Sequence, residues 1–301
     1  MDKQLRRKKI IELLGDLPDS SREISVEKVH EEVRDSFVVE ELVLDLNGLE
    51  LVPAYFARPL ERKGKLPVIL FNHSHGGQYH VGKTELITSS HYLQKPSYAK
   101  QLTELGYGVL CIDAWGFGER RGKSESEIFK EMLWKGQVMW GMMVFDSIRA
   151  IDYLLTRDDV DSSRIATVGM SMGGLMSWWL AALDERVTVC IDICGQVDAS
   201  SLIKVRGLDH HGFYSYVPKL VKYFQTADIQ ECISPRPHLS VVGTYDRLTP
   251  YEGLCKIDEA LTKCYEQEGY SKHWKMERYH CGHIETASMR NKVCSFLQNY
   301  L

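Results

Sequence analysis

Gly169-Met-Ser-Met-Gly173 follows the apolar run Arg164-Ile-Ala-Thr-Val168 and precedes Gly174-Leu-Met-Ser-Trp-Trp-Leu-Ala-Ala-Leu183, which reads as a helix. G-x-S-x-G between a strand and a helix is the setting of a nucleophile elbow, a sharp turn that exposes a serine hydroxyl above a sheet. The glycines relieve the crowding of such a turn against its neighbours. The helix start supplies backbone N–H groups and a dipole that favour negative charge. The same spacing also describes an ordinary turn with a surface serine. The reading of Ser171 therefore depends on a base, an acid and N–H donors elsewhere in the chain.

The bulk numbers frame that question. The chain has 301 residues, 44% apolar and 26% charged, which matches an ordinary globular protein with a sizeable core. A net charge of −4 gives no electrostatic reason to expect a nucleic acid or an anionic membrane as partner. The basic run Arg6-Arg-Lys-Lys9 reads as a solvated helix face. No stretch is long and apolar enough to span a membrane, and the start Met-Asp-Lys-Gln lacks the apolar core of a signal peptide. A cytoplasmic location is expected, with the eight cysteines as reduced thiols.

A helix is expected over 3–14, and strands over 37–46 and 49–57, joined as a hairpin at Asn47-Gly48. Further strands are expected at 67–71, 107–113, 164–169, 187–193, 238–242 and 274–279. Helices are expected at 97–105, 137–155, after Ser171, at 251–267 and at 285–299. This alternation predicts an α/β fold: a mostly parallel twisted sheet with helices on both faces and an N-terminal antiparallel hairpin. Residues 1–36 read as a helical extension and 37–301 as the main domain. Residues 196–231 break the rhythm as an insert rich in His, Tyr, Phe and Pro, either a lid or a peripheral excursion.

Chemistry in such sheets collects at the carboxyl ends of the strands. Asp246 follows the strand at 238–242 and His283 follows the strand at 274–279. The order Ser171, Asp246, His283 supplies nucleophile, acid and base at successive strand ends. His280 competes as base; Gly282 and the longer reach past the strand favour His283. Oxyanion donors are expected from the Met172 backbone and from the loop Asn72-His-Ser-His-Gly-Gly-Gln78, with the His75 N–H first and Gly76 or Gly77 as alternatives.

With these residues in place, the chain from about residue 37 onward resembles the α/β-hydrolase superfamily. It is most similar to the dienelactone-hydrolase and acetyl-xylan-esterase-like branch. The likeness rests on Val68-Ile-Leu-Phe-Asn-His-Ser-His-Gly-Gly77, Leu105-Gly-Tyr-Gly-Val-Leu-Cys-Ile-Asp113, Gly116-Phe-Gly-Glu-Arg120, the elbow, Gly243-Thr-Tyr-Asp246 and Gly282-His283. The resemblance implies a triad of Ser171, Asp246 and His283 and an oxyanion donor at His75. Dienelactone hydrolases use a cysteine where this chain has Ser171, which favours hydrolysis of a small-molecule ester.

Other readings stay open on the sequence. The same triad could serve a peptidase, a thioesterase or an acyltransferase, although 36 leading residues are too few for the propeller common in peptidases of this fold. A non-catalytic ligand-binding protein on the same fold is a further alternative. His73, His75 and His80 crowd one loop with His91 nearby, but no carboxylate lies among them, so neither a metal nor another cofactor is expected. Trp115, Phe117 and Phe213 are candidates to line an apolar substrate pocket, and Glu119 and Arg120 an ion pair holding the loop after Asp113. Nothing in the sequence bears on oligomeric state.

Overall fold

The computed structural model describes residues 2–61 and 64–301. The chain opens with helix α1, Lys3–Leu13, whose first turn is capped by the Asp2 carboxylate. Strands β1 (Ser25–Arg34), β2 (Phe37–Asp45) and β3 (Val52–Pro59) follow as an antiparallel set. The chain then runs through β4 (Leu66–Asn72), the short helix α2 (Glu85–Thr88), α3 (Tyr98–Glu104) and β5 (Gly108–Ile112). Helices α4 (Glu125–Trp134) and α5 (Met139–Thr156) lead to β6 (Val160–Met170) and α6 (Met172–Leu183). After β7 (Val189–Ile193) the insert contains α7 (Ala199–Val205), α8 (Leu220–Tyr223) and α9 (Thr226–Gln230). The chain closes with β8 (His238–Gly243), α10 (Tyr251–Gln267), β9 (Trp274–Tyr279) and α11 (Ala287–Tyr300).

Among the described residues, nine strands form one sheet in the order β1-β2-β3-β5-β4-β6-β7-β8-β9. The strands from β5 to β9 in that order pair in parallel. Their period of two sends alternate side chains to two cores. Val68 and Leu70 of β4 pack with α5 and α6 on one face, whereas Ile69 and Phe71 pack with α3 and α11 on the other. The chain leaves β4 for β5 on one side and returns to β6 on the other. The loops after β4 and β6 therefore flank a topological switch point, where open α/β sheets form their crevice.

The structure corrects one sequence expectation and adds one helix. The expected N-terminal helix is present at Lys3–Leu13, but the rest of the leading segment is not a helical extension: Ser25–Arg34 is an edge strand paired with β2, and Asp35-Ser36 is the turn between them. Alternation failed to reveal β1 because it is solvent-exposed on both faces over most of its length. Helix α4 was also unforeseen, although Ser124 and Glu127 form a reciprocal capping box that the sequence spells out. Among the described residues, the eight cysteines are unpaired thiols.

Candidate active site

Ser171 sits between the last residue of β6 and the first of α6 with φ 55° and ψ −118°. A non-glycine residue rarely adopts this conformation, and its backbone is held from both sides. The Ser171 N–H donates to the Ile193 carbonyl at 2.8 Å, and the Ser171 carbonyl accepts from Leu175 N–H at 2.8 Å. The turn also requires a close approach. A Cβ at Gly173 would overlap the carbonyl oxygen of Asn72, and one at Gly169 would overlap the Gly173 carbonyl. Absence of these side chains lets α6 begin against the end of β4. The buried Asn72 amide then donates to Thr167 Oγ1 at 2.8 Å and Ser177 Oγ at 2.9 Å, joining β4, β6 and α6.

His283 reaches this serine from the loop between β9 and α11. Its Nε2 lies 2.7 Å from Ser171 Oγ, and its Nδ1 lies 2.6 Å from Asp246 Oδ2. An ionised carboxylate only accepts, so in this arrangement Nδ1 carries the proton and Nε2 accepts from the serine hydroxyl. Asp246 is buried, and its other oxygen accepts from Leu248 N–H at 2.9 Å. His280 lies elsewhere: it is exposed, with its ring against Thr244 and Tyr245.

The loop after β4 is braced by charge. The fully buried Glu85 accepts from Ser74 N–H at 2.8 Å and from the hydroxyls of Ser90 and Tyr92. His73 Nε2 accepts from Ala114 N–H at 3.1 Å, which leaves Nδ1 to donate to the Ser74 carbonyl. His75 Nδ1 accepts from Gly77 N–H at 2.9 Å, and Nε2 faces Tyr214 Oη at 3.1 Å. Burial, followed by the nearby His73 and His283, pulls the His75 pKa down to about 4. This imidazole is neutral near pH 7. Met172 opens α6, where first-turn N–H groups have no intrahelical acceptor.

Residues 94–301 match the prolyl oligopeptidase family. The chain belongs to that family. A prolyl oligopeptidase family chain of this kind is a hydrolase of the α/β type, and known proteins carry the same architecture. The YtaP protein of Bacillus subtilis (strain 168), whose name calls it a hydrolase, is 57% identical over 98% of this chain and 99% of its own. A glucuronoyl esterase from Solibacter usitatus superposes with a TM-score of 0.73 at 16% identity, over 97% of this chain and 91% of that one. An acetyl xylan esterase from Paenibacillus sp. R4 superposes with a TM-score of 0.67 at 18% identity, over 100% and 95%. At these identities, the two esterases show a shared fold.

In this family member, the three aromatic residues expected to line a pocket have other places. Phe117 is fully buried and stacks on Tyr79 with centroids 4.7 Å apart, so it supports the His75 ring beside it. Trp115 borders a separate groove of about 580 Å3 that Ser171, Asp246 and His283 do not line. Phe213 turns outward onto Phe129 of α4, with ring centroids 5.5 Å apart. Its neighbour Tyr214 turns inward instead. Glu119 and Arg120 also part company: Glu119 pairs with Lys83, and Arg120 with Glu50 and, at 2.8 Å, Asp146.

The histidines of the β4 loop do not gather as ligands. Among the described residues, the one group spaced like metal ligands is Cys194, Asp246 and His283, which shares two members with the hydrogen-bonded chain above. Burial and the Asp246 carboxylate push the Cys194 thiol well up, so it is a thiol rather than a thiolate.

Several residues next to the site were not singled out from sequence. His211 Nε2 lies 3.0 Å from the Leu248 carbonyl, on the loop that carries Asp246. Tyr214 meets His75, and its own N–H donates to Glu125 Oε1 at 2.9 Å; Glu125 Oε2 in turn accepts from Tyr79 Oη at 2.7 Å. The cluster Asp209-His-His-Gly-Phe-Tyr214 carried the signal, but only the folded chain shows which of its rings point inward. Glu285, two residues past His283, is fully buried. It accepts from Arg290 at 2.7 and 2.8 Å, from Tyr98 Oη at 2.5 Å and from Gln94 N–H at 2.8 Å. This hub anchors the loop that presents His283.

Proposed function

We propose that this chain is a serine esterase that cleaves a small-molecule carboxylic ester through an acyl-enzyme. The observation that carries the reading is the continuous hydrogen-bonded line Ser171 Oγ, His283 Nε2, His283 Nδ1, Asp246 Oδ2. Ser171 Oγ attacks the carbonyl carbon as its proton passes to His283 Nε2. Asp246 holds the imidazole in the tautomer that can accept and stabilises the imidazolium. The carbonyl oxygen, now an oxyanion, takes hydrogen bonds from the N–H groups of Met172 and His75. The tetrahedral intermediate collapses, the ester C–O bond breaks, and the leaving alkoxide takes the proton from His283. Water then attacks the acyl-enzyme and gives its proton to His283. The carboxylic acid leaves as Ser171 regains its proton.

The esterases of like fold support ester cleavage, and the hydrolase name of YtaP supports hydrolysis in general. A peptidase is the second reading, favoured by the family match over residues 94–301. Both readings use the same serine, and the substrate separates them. The test is a panel of short nitrophenyl esters, acetylated sugars, thioesters and peptide amides, with labelling of Ser171 by a small phosphonate. Ester turnover with Ser171 labelled is the expected result. Turnover of peptide amides alone would replace the esterase reading by the peptidase one, and an unlabelled Ser171 would sink both.

A further inference from the structure

An apolar cavity of about 220 Å3 lies between α6 and the insert. Leu175, Trp178 and Trp179 form its α6 wall, and Leu202, Val217 and Leu220 face them from the insert. Ser171, Asp246 and His283 do not line it, but two of its lining residues are hydrogen-bonded to the site. Leu175 sits one turn beyond Ser171 and donates its N–H to the Ser171 carbonyl. His211, another lining residue, leans on the Leu248 carbonyl of the Asp246 loop. Burial lowers the His211 pKa, so this wall is a neutral ring near pH 7.

Two apolar side chains at the edge of the cavity are exposed. Ile203 is 50% exposed and Val221 56% exposed, and both border the cavity. Trp178 cannot turn its polar edge inward to wet the space, because its Nε1 donates to the Gly195 carbonyl at 3.0 Å. Apolar side chains left uncovered around a concave site are characteristic of ligand-binding surfaces. The size sets a scale: an apolar cavity of about 150 Å3 holds a benzene ring. An acetyl group would leave most of this one unfilled.

We propose that this cavity binds an apolar group of the ester, of the size of a phenyl ring or a medium-length alkyl chain, and so selects for esters bulkier than acetates. The inference rests on the esterase reading above. Its occupant is either the acyl chain or the alcohol part, and both bury apolar surface in the same way. Substrate preference then follows hydrophobic burial. Each methylene that enters raises kcat/KM about fourfold until the cavity is full.

The test uses the full chain and two substrate series: methyl esters of straight-chain acids of increasing length, and acetates of straight-chain alcohols of increasing length. A stepwise rise in kcat/KM is expected in one series, which identifies the occupant. A flat profile in both would overturn the inference while leaving the esterase reading intact. Failure of every ester together with an unlabelled Ser171 removes the reading on which the inference rests. Ala199→Leu, a substitution in the cavity wall, is expected to move the optimum to a shorter chain. Leu202→Ala is expected to move it to a longer one. An optimum that stays fixed in both variants would place the selecting pocket elsewhere.

Discussion

His75 and Tyr214 face each other at 3.1 Å between the imidazole Nε2 and the phenol oxygen, 139 positions apart in the chain. Because Gly77 N–H occupies Nδ1, the imidazole donates and the tyrosine accepts. The insert thus fixes the loop proposed to supply an oxyanion donor. Tyr214→Phe is expected to lower kcat on a short ester roughly tenfold, with a smaller change in KM, and to cost about 1 kcal/mol of stability. Steady-state kinetics beside a urea melt check it. A stability loss with unchanged kcat would assign the bond to structure alone.

The depressed pKa of His75 has a defined sign. Its folded value of about 4 lies below the ordinary 6.5, so the unfolded chain binds the extra proton first as pH falls. The stability linked to a neutral His75 is complete above pH 6.5 and is lost progressively as pH falls towards 4. Compared with His75→Asn, which cannot titrate, the wild type is expected to lose roughly 1–3 kcal/mol across that window. Urea unfolding at stepped pH values measures the difference. A gap that stays constant would show that the imidazole is not held neutral.

The two candidate bases separate cleanly. Ser171→Ala and His283→Ala are each expected to lower kcat by about 10³-fold or more, and His280→Ala to stay within about threefold of wild type. Asp246→Asn keeps the shape but favours the wrong tautomer, so a loss of the order of 10⁴-fold is expected. Initial rates on one activated ester decide the ranking. Activity retained in His283→Ala would dismantle the proposed mechanism.

Gly173→Ala tests the close approach of α6 to β4. The new Cβ would overlap the Asn72 carbonyl, a backbone atom that cannot swing aside. A destabilisation of about 1–3 kcal/mol or more is expected, with the Asn72 bonds to Thr167 and Ser177 disturbed. Gly122→Ala, where a Cβ meets open space, is the matched control and is expected to stay within about 0.5 kcal/mol. Paired thermal melts give the comparison.

Glu285 tests how the His283 loop is held. Glu285→Ala strands the buried Arg290 charge, and a cost of about 3–5 kcal/mol is expected. In whatever fraction remains folded, kcat is expected to fall further than KM rises, because the imidazole loses its fixed approach to Ser171. Active-site titration with a phosphonate normalises for folded protein and isolates that effect.

Much of the sheet was legible because β4, β5, β7, β8 and the second half of β6 are buried on both faces and read as short apolar runs between turn signals. Of the candidate site, Ser171, Asp246 and His283 were legible as polar residues at successive strand ends, and the fold brings them within hydrogen-bond distance. Edge strand β1 was not, since exposure removes the pattern that marks a strand. The residues that brace the site were equally hidden. Glu85, Glu285 and Tyr214 act through partners 5 to 191 positions away, and no motif spacing encodes the distant pairings. Phe213 and Tyr214 show the limit most directly: they are consecutive residues of one short turn, Phe213–Ser215, and differ in role only because one side chain points outward and the next points in.

The backbone N–H and carbonyl of Ser171 are both held by backbone groups. Its N–H is fixed on β7 and its carbonyl on α6, while the glycines on either side admit the strand and helix that crowd it. Nothing in that geometry depends on the atom at the end of the side chain. The scaffold therefore acts as a socket whose shape is decided before its reactive element is chosen. A cysteine at this position would inherit the same aim and the same histidine, so one architecture can exchange oxygen for sulfur chemistry by a single-atom change without refolding its turn.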